Sequence, residues 1–159
     1  MPLINSPTPD ATTTTKGKIQ LTGVLGGTAA SPTFSTTAGG LGGASLSWTP
    51  TIVGFSANPN GVYRYTRVGN FVTLFINQIT NGTSNSASFT ISLPITAATI
   101  TSVQWLAPAQ IVNNGTSGFG QAFITSAGTV LNITSDAGGS GFTASGNKRT
   151  IGMQITYEV

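Results

Sequence analysis

The sequence predicts an all-β protein: an antiparallel β-sandwich head, jelly-roll-like, carrying an extended N-terminal arm. Three observations predict this. Charged residues make up only 6% of the chain, against about 25% in an average globular protein, and the strong helix formers Glu, Lys and Arg nearly vanish with them. Thr, Val, Ile and Phe recur instead with a period of two, the spacing of a half-buried strand, and no stretch keeps a helical period. Gly, Asn and Pro separate these runs at turn positions. Hydrophobic residues still reach 38%, and their order excludes a disordered low-complexity chain.

The elements follow from the N-terminus. Residues 1–47 hold Pro2, Pro7 and Pro9, the run Thr12-Thr13-Thr14-Thr15, and glycine clusters at Gly26-Gly27 and Gly39–Gly43. Within them Lys18–Val24 alternates as one short strand. A lone strand cannot bury its apolar face. The segment is therefore either a loose leader or an arm that pairs with another chain, and Ile19, Leu21, Val24, Leu25 and Phe34 favour the arm. Residues 48–159 form the head, with Trp48 anchoring the junction.

The clearest element of the head is a hairpin. Val62–Val68 and Phe71–Asn77 flank Gly69-Asn70, a two-residue turn that uses the positive φ open to glycine. This register puts Tyr63, Tyr65, Val72, Leu74 and Ile76 on one face, as core. The other face carries Phe71 and Phe75 among Arg64, Thr66 and Thr73, with Arg64 placed to lie over Phe75 as a cation–π pair. Two phenylalanines on an outer face predict contact with another surface. Ala87–Leu93 alternates and stops at Pro94. Shorter candidates run over 51–55, 101–106, 118–125 and 129–134. At the end, Ile151, Met153, Ile155, Tyr157 and Val159 share one face. This makes about eight short strands, the number of a sandwich or jelly roll.

The chemistry is sparse. There is no His and no Cys, and the carboxylates are Asp10, Asp136 and Glu158. Without a proton-transfer imidazole, a thiol or a convincing carboxylate pair, no catalytic constellation assembles, so no catalytic residue, metal site or cofactor is expected. A Ser–Lys dyad through Lys148 is the one combination the residues leave open. The glycine clusters lack the Lys-Ser/Thr of a phosphate loop. A net charge of +3 is scattered, with only Lys148-Arg149 adjacent, which predicts no nucleic-acid partner. No apolar run nears the ~20 residues of a membrane span, so no membrane insertion is expected. The N-terminus lacks the pattern of a signal peptide. Asn-x-Thr triplets begin at Asn81, Asn114 and Asn132, as expected by chance in a chain this rich in Asn and Thr.

Sugar binding requires aromatic faces and neutral hydrogen-bonding groups. The candidates are Trp105, Asn113, Asn114, Asp136 and Phe142. Trp105 lies in a strand-like run where core packing competes with a binding role, and the glycine-rich 136–148 loop is either a contact loop or a plain connection.

The stretch Thr14-Thr15-Lys16-Gly17-Lys18-Ile19-Gln20-Leu21-Thr22-Gly23-Val24-Leu25-Gly26-Gly27-Thr28-Ala29 resembles segments of bacteriophage tail fibres and receptor-binding proteins that precede a distal domain. Val24 stands where such stretches often carry an acidic residue. Trp48-Thr49-Pro50-Thr51 and Tyr63–Thr73 resemble the β-rich heads of those fibres. The resemblance implies a homotrimer within a virion tail fibre, with arms along a threefold axis, heads clustered, and attachment to host surface polysaccharide. It also implies docking onto other tail-fibre or virion proteins through residues 1–47. Ile19, Leu21, Leu25, Phe34, Arg64, Phe71 and Phe75 are the expected subunit contacts. A purely structural virion role, as a capsid decoration protein or fibre connector, competes with this reading. A depolymerase is opposed by the carboxylate count.

Overall fold

A computed structural model describes residues 25–28, 31–34 and 44–159. The fold is all-β and antiparallel. Two short strands, β1 (Leu25–Thr28) and β2 (Ser31–Phe34), form a separate two-stranded ladder. The pairing runs from Leu25 opposite Phe34 to Thr28 opposite Ser31. The remaining strands are β3 (Leu46–Ser47), β4 (Ile52–Val53), β5 (Phe55–Ala57), β6 (Gly61–Val68), β7 (Phe71–Gln78), β8 (Gly82–Ser84), β9 (Thr90–Ser92), β10 (Gln104–Asn113), β11 (Thr116–Thr125), β12 (Val130–Ile133) and β13 (Asn147–Glu158). Because β3 pairs with β6, the sheet starts at Leu46, slightly ahead of the expected boundary.

The strand order is β3-β6-β7-β13-β10-β11-β12-β9-β4, with β5 and β8 attached beside β13. Its two ends, β3 and β4, are joined only by residues 48–51. That link reaches at most about 18 Å when extended, whereas nine strands laid flat would hold the ends about 38 Å apart. The sheet must therefore curl until its ends meet, which makes it sandwich-like. Trp48 closes the seam. Its Nε1 donates to the Ser92 carbonyl of β9 at 3.2 Å, and its ring stands edge-on to Tyr63 and Tyr65 at 5.7 and 6.0 Å.

The concave side is the core. Val72, Leu74, Ile76, Ile91, Ile111, Ile124, Leu131, Ile155 and Tyr157 are buried there. The β6–β7 hairpin has the expected register, from Val68 opposite Phe71 to Tyr63 opposite Ile76. Gly69 alone of the turn pair takes positive φ, at 57°. The β10–β11 hairpin turns on Asn114-Gly115, both with positive φ (49° and 80°), the Asn-Gly pattern of a tight turn. Asn114 is thus a turn residue.

Strands β10 and β13 both differ from expectation. Strand β10 continues through Pro108 to Asn113 instead of ending at 106. Pro108 faces Gln121 of β11, and the ladder with β13 starts only at Ala109, so that side loses no hydrogen bond to the missing N–H. In β13, Gly152 pairs with Gln110 and Thr150 with Ile111, leaving Ile151 as an unpaired bulge residue. The bulge inverts the alternation. Met153, Ile155 and Tyr157 point inward as expected, but before the bulge the inward positions are Thr150 and Lys148, not Ile151.

β13 pairs with β7 from Met153 onward and with β8 only at Asn147 and Lys148, so a gap opens beside residues 149–152. Buried Gln78 fills it. Its Oε1 accepts from the Thr150 N–H at 2.7 Å, and its Nε2 donates to the Tyr63 hydroxyl at 3.1 Å. Arg149 donates to the Gln78 and Ile79 carbonyls alongside.

Candidate functional site

Alternation along β6, β7, β13, β10 and β11 sends every second residue to the convex side. Phe71 (54% exposed), Phe75 (40%), Leu106 (56%) and Phe119 (75%) lie there, with Val68 opposite Phe71 and half-buried Phe123 opposite Leu106. The space between them is neutral. Thr73 and Thr156 share a hydroxyl hydrogen bond of 2.8 Å across β7 and β13, and Gln154, Gln110 and Pro108 continue the face. Arg64 and Glu158 sit at its margins. Arg64 does lie opposite Phe75 in register, but its guanidinium donates to the Ser45 Oγ and carbonyl at 2.9 and 3.0 Å rather than covering the ring. Phe75 is left open. Large apolar groups spread over a neutral sheet face suit contact with another protein surface.

The remaining expected contacts fall elsewhere. Ile19 and Leu21 lie outside the described residues. Leu25 and Phe34 are paired positions of the β1–β2 ladder.

The five sugar-site candidates do not form one site. Trp105 shares the inward side of β10 with its partner Ile124 and packs edge-on to Tyr157 at 6.3 Å. Asn113, at the far end of the same strand, is about 26 Å away at ~3.3 Å per residue. Asn113 uses Oδ1 to accept the Thr143 N–H at 3.0 Å. Asp136 Oδ1 accepts the Ser140 N–H at 3.0 Å, and hydrogen bonding from the Ser140 hydroxyl and then its N–H holds the carboxyl below the usual range. Phe142, expected on an exposed loop, is 4% exposed and stands edge-on to Phe89 at 5.4 Å. It offers no open face.

Phe142 is instead one wall of a cage around Lys148, which is fully buried. Lys148 Nζ lies over the rings of Phe55, Phe142 and Phe89 at 4.7, 5.3 and 5.6 Å. It donates to the Ser86 and Ser88 carbonyls at 2.8 and 2.9 Å. These contacts tie the segment before β9 to the start of β13, and both partners are carbonyls rather than the serine hydroxyls a Ser–Lys dyad needs. Burial lowers the Lys148 pKa from 10.5 to about 8, while the carbonyls and ring faces favour the cation. Between those values the unfolded chain holds a proton that the folded chain has released, so raising the pH stabilises the fold. Urea unfolding from pH 7 to 10 should therefore show wild type gaining stability relative to Lys148→Met, with the gain beginning near pH 8. A difference that shrinks with pH would contradict the burial of the ammonium.

A groove opens beside the seam, lined by Ser47–Pro50, Ile52 and Pro59–Tyr63, with a volume of about 470 Å³. Its residues come from both ends of the curled sheet, which is why the sequence pattern leaves it unmarked. Trp48, expected only at a junction, lines it. In comparisons with known proteins, no family model matches the chain, and no curated protein or solved structure does either.

Proposed function

We propose that the protein is a non-catalytic assembly and attachment module that acts as a homotrimer in a phage tail fibre, with receptor-binding capacity toward host surface glycan. The convex sheet face carries this reading. A lone copy leaves Phe71, Phe75, Leu106 and Phe119 wet. Covering the remaining exposed half of each side chain is worth about 1 kcal/mol per residue, summed over every copy of the interface. Charged residues are only 6% of the chain, so few charges oppose association. The number three and the virion setting rest on the resemblance of residues 14–29, 48–51 and 63–73 to tail-fibre proteins. A fibre connector without receptor binding would use the same face, and sugar binding separates the two.

Phe75→Asp combined with Phe119→Asp should leave the subunit folded, since both side chains point away from the core. In sedimentation velocity at micromolar concentration, the double variant should shift from trimer to monomer with at least a tenfold weaker association. Unchanged sedimentation would remove this face from the interface.

A further inference from the structure

We infer that the groove beside the sheet seam binds a neutral saccharide, stacked on Trp48. The inference rests on the receptor-binding reading above and gives it a location. The volume of about 470 Å³ is that of a small-ligand cleft, for which ~300–1,000 Å³ is usual. Trp48, Tyr63, Pro50 and Pro59 supply apolar surface, and Ser47, Thr49 and Asn60 supply neutral polar groups. This pairing suits a pyranose, whose C–H face packs on an aromatic ring while its hydroxyls face amides and hydroxyls. Among the described residues, none that lines the groove is charged. A phosphate or an acidic sugar would find no cation among these lining groups, which favours an uncharged ligand.

The site is also held in shape before a ligand arrives. The Trp48 indole is fixed by its bond to the Ser92 carbonyl and by T-shaped contacts with the Tyr63 and Tyr65 rings. Asn60 is fixed through its backbone. Its N–H donates to Thr80 Oγ1 at 2.9 Å, and its carbonyl accepts from the Ile79 and Thr80 N–H groups at 2.7 and 3.3 Å. Thr49 and Asn60 are both exposed at the groove, and their side chains make no hydrogen bond among the described residues. A platform already in place spares the ordering that weakens flexible sites.

The test is saturation-transfer NMR on the full chain. The probes are neutral oligosaccharides of glucose, galactose, rhamnose and N-acetylglucosamine, with a sialylated oligosaccharide as the acidic comparison. At least one neutral oligosaccharide should bind. Thr49→Arg, which lays a long side chain across the groove, and Asn60→Ala should each weaken binding at least tenfold while the amide spectrum stays dispersed. Binding that survives both variants would put the sugar elsewhere and overturn this site, leaving the receptor reading intact. Failure of the whole neutral panel, or binding of the acidic sugar alone, would overturn the ligand class. Adsorption of the labelled protein to a panel of bacterial cells tests the receptor reading separately.

Discussion

Lys148→Ala should lower the unfolding free energy by about 3 kcal/mol, a large share of a small domain's stability. The substitution removes two hydrogen bonds from a charged donor, each worth about 1.5–3 kcal/mol. It leaves the Ser86 and Ser88 carbonyls without that donor and opens a void between Phe55, Phe89 and Phe142. Relief from burying an ammonium offsets part of the loss. Lys148→Met refills the space without restoring the donor, so it should lose about half as much. The same cage explains Gly54, which has φ +105° and whose added Cβ would lie 2.0 Å from the Ser88 carbonyl oxygen. Only glycine lets that oxygen sit within reach of the ammonium. Urea denaturation of the three proteins at pH 7, with unchanged m-values, measures the ordering. Equal stability of wild type and Lys148→Ala would show that the cage contributes nothing to the fold.

The second large effect is at the seam. Trp48→Ala should cost about 3 kcal/mol, toward the low end for a large aromatic because the ring is only half-buried. The loss should also be local. Trp48 joins β6 to β9 across the closure, so hydrogen exchange should accelerate together in β3, β4 and β9, while the β10–β11 hairpin keeps its protection. Uniform acceleration across all strands would mean that the sheet stays closed without the indole.

These two residues also mark where sequence reasoning stopped. The β6–β7 hairpin was legible because its signals are local: a period of two, a Gly-Asn turn, and a register that follows from turn length. Parity then placed Phe71 and Phe75 outside. The seam was not legible, because Trp48 meets Ser92 only once the sheet has curled, and nothing near residue 48 encodes that contact. The alternation from Ile151 onward, extended backward, would turn Lys148 outward. One bulge residue reverses that parity and buries the cation. Phe142 misled for a related reason. Its glycine-rich neighbours signal a loop, but its carbonyl-linked neighbour Ala87 and the Phe89 ring hold it inward. Residue type alone points to the sugar candidates, and β10 separates two of them by nearly its whole length.

Oligomeric mass bears most directly on the assembly reading. Native mass spectrometry of the full chain at micromolar concentration should give about 48 kDa, three copies of the 16.1 kDa subunit. A stable 16.1 kDa species that persists as concentration rises, with Phe71, Phe75 and Phe119 still open to solvent, would contradict it.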